Sequence, residues 1–115
     1  MNGWIGVDLD GTLAEYHGWK GADHIGNPVP KMLGRVKKWR AEGKDVRILT
    51  ARVCNNNPTK AQALTAIQDW CQKHIGEVLP ITAEKDYCMV EMWDDRCIQV
   101  VPNTGIAIQE FISKK

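Results

Sequence analysis

The segment Trp4-Ile5-Gly6-Val7 is almost continuously apolar and runs directly into Asp8-Leu9-Asp10-Gly11. A strand apolar on both faces belongs in a parallel sheet covered on both sides, because a strand with one wet face alternates apolar and polar residues. Parallel neighbours cannot be joined by a tight turn. They need a crossover of about a dozen residues or more, usually helical, so a chain that opens this way is committed to strands alternating with helices.

The rest of the chain supplies that alternation. Residues 31–42 carry Met32, Leu33, Val36 and Trp39 at helical spacing, with Pro28 and Pro30 before them and Gly43 behind as a cap. Residues 46–49 read as a second strand that ends at Thr50. Asn57-Pro58 reads as the N-cap and first turn of a second helix, whose apolar face, Ala61, Leu64, Ile67 and Cys71, runs to about residue 75 before Gly76. Residues 78–82 predict a third strand, placed at an edge because Pro80 has no N–H to give to a ladder. Residues 90–93 predict a fourth strand, residues 98–101 a fifth before Pro102, and residues 106–113 a short terminal helix. In 115 residues this makes one α/β domain with a parallel sheet and right-handed crossovers. Residues 13–27 break the pattern with three glycines, two histidines and Trp19, and read as a flap.

Composition removes other classes. With 43% hydrophobic and 25% charged residues the chain is neither disordered nor a rod, and its apolar runs fall far short of the ~20 residues that cross a bilayer. No basic stretch followed by a long apolar one opens it, so a cytoplasmic protein is expected. Fifteen Lys+Arg against fourteen Asp+Glu give no global field to hold a polyanion. Cys54, Cys71, Cys88 and Cys97 contain no Cys-x-x-Cys pair and are read as free thiols, not as a zinc site or disulfides.

Where the strands end carries the chemistry. The first ends at Asp8, the second at Thr50, the third just before Lys85 and the fourth at Asp94-Asp95. In a parallel sheet these ends share one edge, the edge at which open α/β sheets bind ligands. Asp8 and Asp10 are two apart, so on an extended backbone their side chains share a side while Leu9 points away, and Gly11 frees the backbone to turn. Neighbouring carboxylates repel unless they share a cation, and an all-oxygen set completed by Asp94 suits Mg²⁺. Once Mg²⁺ and Lys85 neutralise a phosphoryl group, one carboxylate can approach as nucleophile. The other can protonate the leaving oxygen and then activate water.

Asp8-Leu9-Asp10-Gly11-Thr12, Thr50 after Val46-Arg47-Ile48-Leu49, Lys85, and Asp94-Asp95 resemble, in order and context, the four motifs of the haloacid dehalogenase-like (HAD) hydrolase superfamily, over residues 4 to about 101. The resemblance implies a Rossmann-like three-layer sandwich with a five-stranded parallel sheet of order 5-4-1-2-3, and Mg²⁺-dependent phosphoryl transfer through an aspartyl-phosphate. Residue by residue it implies Asp8 as nucleophile and Asp10 as acid/base and, through its backbone carbonyl, metal ligand. Thr50, Ala51 and Lys85 become phosphate holders, Asp94 a metal ligand, and Asp95 an outer-shell residue behind it. The aspartate two past the nucleophile follows the superfamily's phosphatases, whereas its ion-pumping ATPases carry threonine there. Neither residues 13–27 nor residues 52–82 leave room for a cap domain. The chain looks most like small capless HAD-like proteins of bacteria and phages, with an open site and a phosphomonoester substrate.

Other readings stand beside this one. A receiver-type phospho-acceptor module also combines acids, Thr and Lys on an α/β sheet, but its acceptor aspartate ends a mid-chain strand, where this chain has Thr50. A binding or regulatory protein that kept the fold without turnover shares every motif. The open site accepts phosphorylated small molecules or macromolecules, nucleic acid among them only through a phosphorylated end. Arg52 is a candidate substrate contact, as are His17, Trp19 and His24 of the flap, whereas Lys31, Arg35 and Lys38 read as a solvated helix face. Five tryptophans and a nearly neutral charge favour self-association as cover for the open edge.

Overall fold

The computed structural model describes residues 2–113, with side chains to residue 110. The elements are β1 (Trp4–Asp8), α1 (Pro30–Ala41), β2 (Asp45–Leu49), a 3₁₀ turn (Ala51–Val53), α2 (Lys60–His74), β3 (Ile81–Thr82), β4 (Met89–Trp93) and α3 (Ile108–Ser113). All sheet pairings are parallel, in the order β3-β2-β1-β4. The register sets Asp8 beside Leu49 and Leu49 beside Thr82, with Val7 beside Trp93, so the carboxyl ends share one edge as expected. β3 is an edge strand, and Pro80 still serves its neighbour by accepting from the Ile48 N–H at 2.9 Å.

The core explains which way the strands face. Ile5 and Val7 of β1 and Val46 and Ile48 of β2 have one parity, and they pack with Met32 and Val36 of α1 and Ile67, Trp70 and Cys71 of α2. Burial of each such side chain contributes about 1.5–3 kcal/mol. Right-handed crossovers from β1 to β2 to β3, stepping in one direction, put both helices on the same face. The three-layer sandwich is therefore not formed by α1 and α2. The connection from β3 to β4 is residues 83–88, too short for a helix, and it crosses the second face instead. There the Trp4 indole N–H donates to Asp86 Oδ1 at 2.7 Å, the Trp4 backbone N–H donates to Cys88 O at 3.0 Å, and the Arg47 guanidinium lies over the Trp4 ring.

The fifth strand is the second correction. Residues 98–101 lie outside the sheet, so the order 5-4-1-2-3 is not formed among the described residues. Only residues 94–97 separate the end of β4 from that segment, and a parallel return needs about a dozen. Val100 pairs antiparallel with Ala107 instead, and Ile108 N–H donates to Gln99 O at 2.7 Å. The hairpin turns where Asn103 and Gly105 take positive φ, 67° and 74°.

Two smaller boundaries also moved. α2 starts at Lys60, because the Asn57 side chain caps the turn before it by accepting from Thr59 N–H at 3.0 Å. The flap is closed at its neck, where Ala14 bridges Pro28, Glu15 N–H donates to Asn27 O at 2.8 Å, and Leu13 and Ala14 are fully buried. No described helix is long and apolar enough to cross a membrane.

Candidate active site at the carboxyl edge of the sheet

Asp8 closes β1, and Asp94 and Asp95 follow β4, its neighbour in the sheet, so the topology alone brings the three together. One carboxylate oxygen from each lies within 4.8 Å of the other two. Burial, a hydrogen bond shared with Asp95, and the charges of Asp94, Asp95 and Asp10 push the Asp8 carboxyl up to about 7. Without a cation the cluster therefore holds a proton on Asp8 far above the pH at which an ordinary aspartate loses it. The Thr12 hydroxyl sits between the acids, 3.2 Å from Asp95 Oδ1 and 3.4 Å from Asp8 Oδ2. Gly11 is required here by its φ of +87°, and a Cβ would in addition have to displace the Asp95 carboxylate, whose Oδ2 lies 2.6 Å away. An all-carboxylate donor set this close, with one member's ionisation suppressed by burial and by its neighbours, fits a hard divalent cation such as Mg²⁺.

Asp10 does not join that cluster through its carboxylate. Arg52 Nε and Nη2 donate to its two oxygens at 2.8 Å each, a bidentate pair whose side chains are 7% and 24% exposed. The same guanidinium donates to His24 O at 2.9 Å and Ala22 O at 3.4 Å, and its carbon lies 4.9 Å from the centre of the Trp19 ring. Arg52 thus ties the acid to the flap. Its position directly after Thr50-Ala51 marked it as near the site, but nothing in the sequence named Asp10, forty-two positions away, as its partner.

Thr50 is buried and ends the β2 run, and its Oγ accepts from Arg52 N–H at 3.2 Å, which leaves its own hydroxyl proton to donate. Asp8, Asp10, Thr50, Ala51 and Asp94 open onto one cleft of about 330 Å³. Tyr16 and Trp19 from the flap and Arg96 from the loop after β4 also line it, and Tyr16 and Arg96 carried no earlier signal beyond their neighbourhood. Lys85 is exposed on the connection crossing the sheet and is not among the residues lining that cleft. Its charge reaches the loop all the same: burial, Asp94 and Asp8 push the Cys97 thiol up, and Lys85 offsets part of that rise. His17 and His24 line a smaller cavity of about 190 Å³ between flap and Arg52. Arg35 packs over the Trp93 ring at 5.1 Å, so the helix face it shares with Lys31 and Lys38 is not turned to the cleft as a unit. All four cysteines are free, and among the described residues the three aspartates are the one group spaced to hold a metal.

No family model and no curated protein matches the chain. Among solved structures it is similar to a conserved protein from Bacteroides thetaiotaomicron, with a TM-score of 0.59 and 20% identity over 100% of this chain and 93% of that one. At that identity the similarity carries the α/β fold and nothing of the chemistry.

Proposed function

We propose that this chain is a Mg²⁺-dependent phosphatase of the capless HAD-like type, hydrolysing a phosphomonoester through an aspartyl-phosphate on Asp8. The observation that supports it is the convergence of Asp8, Asp94 and Asp95 within 4.8 Å, opening with Thr50 and Asp10 onto one cleft at the carboxyl edge of a parallel sheet. In this reading an Asp8 oxygen attacks phosphorus while the bond to the leaving oxygen breaks, and that oxygen takes a proton from Asp10. Water then attacks the phosphorus of the aspartyl-phosphate and gives a proton back to Asp10. Phosphate leaves and Asp8 is regenerated. Thr50, Ala51 and Lys85 hold the phosphoryl oxygens, Lys85 by swinging in from its exposed loop. Asp8, Asp94 and the Asp10 carbonyl would hold Mg²⁺, with Asp95 behind, and the bound ion supplies the charge neutralisation that lets a carboxylate approach a phosphate.

The clamp on Asp10 adds a condition. A carboxylate that accepts from both arms of a guanidinium is in its acceptor form, so proton donation requires Arg52 to release one oxygen. Since Arg52 is also held by the flap carbonyls, substrate entry under the flap is the event that would loosen it. The substrate class is a phosphorylated small molecule or macromolecule, nucleic acid only through a phosphorylated end, met in the cytoplasm. The same clamp favours a second reading, a phosphate-binding module without turnover.

Hydrolysis of p-nitrophenyl phosphate, with Mg²⁺ and with a chelator, tests the two. Turnover that needs Mg²⁺ and is lost by several orders of magnitude in Asp8→Asn is the expected result. Phosphate binding without turnover under any divalent ion would replace the first reading by the second.

A further inference from the structure

Residues 98–110 form an arm whose hydrogen bonds, among the described residues, do not reach the body of the molecule. Every residue from 96 to 100 and from 102 to 106 is exposed, and Ile98 and Val100 keep 65% and 51% of their surface in water. Among the described residues it folds on itself, through the Val100–Ala107 pairing and the Ile108–Gln99 hydrogen bond. A two-stranded hairpin is marginal in water unless a further surface covers its apolar side.

The same chain carries a surface that fits. Among the described residues β4 pairs with β1 alone, so its outer edge is unpaired, and Val90 and Met92 on it are exposed. Such a strand is a template for another strand. Residues 98–101 have the apolar, β-branched pattern of a strand, yet the four residues 94–97 cannot carry them back to lie parallel on their own β4. The loop is also tied down, with Asp94 Oδ1 accepting from Arg96 N–H at 2.7 Å and Asp95 Oδ1 lying 3.2 Å from the Thr12 hydroxyl. The surface area is in keeping with a missing partner. A folded monomer of this mass presents roughly 6,300 Å², whereas this chain presents 7644 Å². The excess, roughly 1,300 Å², is more than the ~800 Å² each partner gives to a standard interface. The radius of gyration is 15.2 Å, against roughly 13 Å for a compact domain of this length.

We propose that the chain forms a two-fold dimer in which the arm of each copy docks along β4 of the other. The occupant is a second copy because donor and acceptor surfaces are both carried by one chain, and reciprocal docking about a two-fold axis fills both at once and closes the pair; a net charge of +1 does not oppose it. The docked arm leads straight out of Asp94-Asp95, so the contact also steadies the acidic loop. The proposal stands without the phosphatase reading.

Light scattering of the full chain across a wide concentration range tests it, together with the double variant Ile98→Glu/Val100→Glu. Both positions are exposed, so the variant removes no core contact. The wild type is expected at twice the 12.9 kDa chain mass and the variant at half that value, with unchanged circular dichroism. Amide exchange in residues 89–93 and 98–101 is expected to be slower in the wild type than in the variant. A wild type at single-chain mass at every concentration overturns the proposal, including the case where the arm is protected by folding onto its own body. So does a dimer that survives both substitutions.

Discussion

Arg52 grips Asp10 by two parallel hydrogen bonds of 2.8 Å, Nε to Oδ2 and Nη2 to Oδ1, while its Nη1 donates to the carbonyls of Ala22 and His24. One buried cation therefore joins three parts of the chain that are far apart in sequence: the loop after β1, the flap, and the turn after β2. The pairing makes the orientation of Asp10 a property of the flap.

Replacing Arg52 by alanine leaves Asp10 without a partner and two flap carbonyls without a donor. Truncating one side of a buried ion pair costs about 3–5 kcal/mol, and the partial exposure of Asp10 places this one nearer 2–4 kcal/mol. Urea unfolding measures it. Arg52→Lys keeps the charge but not the fork, so it should recover less than half of the loss. Full recovery by lysine would show that charge alone, not the bidentate geometry, holds the flap.

The acidic cluster makes stability depend on pH in a direction opposite to that of ordinary paired carboxylates. Asp8 is raised to about 7 in the folded chain against its ordinary value of 3.8, so the folded state binds its proton more tightly than the unfolded state does. Its contribution is fully present below the unfolded value and is lost as pH rises through about 7. Metal-free protein should accordingly gain stability through Asp8 as pH falls from 8 toward 5. Asp8→Asn should flatten that part of the curve. Mg²⁺ binding at the cluster should raise the midpoint most at pH 8, where the charges are unshielded. A chemical-denaturation series with chelator and with Mg²⁺ reads all three effects, and an identical pH slope in wild type and Asp8→Asn would remove Asp8 as the source.

The positions of Asp8, Thr50 and Asp94-Asp95 were legible because each ends or directly follows a strand, and in a parallel sheet a strand end is a location in space. The Asp10–Arg52 pair was not legible. It depends on the path of the flap, which brings the carbonyls of Ala22 and His24 to the guanidinium, and no local pattern encodes that path. Residues 98–101 teach a different lesson. Their pattern is that of a strand, but pattern reports preference and not pairing, and the count of residues between β4 and the segment decides against a place in this chain's own sheet. The lack of a helix between β3 and β4 has the same origin, in the short connection at residues 83–88.

Two glycines with opposite surroundings separate what the flap needs from what a helix tolerates. At Gly26 a Cβ would sit 2.0 Å from Glu15 O, where the two sides of the flap neck cross, and the obstacle is backbone that no rotamer change can clear. The Trp70 indole N–H also donates to Gly26 O at 2.9 Å, so moving this residue disturbs an anchor from α2. Gly26→Ala should therefore destabilise by about 2–4 kcal/mol, as steric strain at an over-determined position does, and should raise the KM of any phosphatase activity by loosening the flap over the cleft. At Gly34, inside α1, a Cβ meets nothing within 4 Å. Gly34→Ala should stabilise by about 0.5–1 kcal/mol, since alanine restricts the unfolded chain and favours the helix. Thermal unfolding of the two variants side by side checks the pair. A neutral Gly26→Ala would mean that the flap neck is free to open, and the coupling of Asp10 to the flap through Arg52 would lose its structural basis.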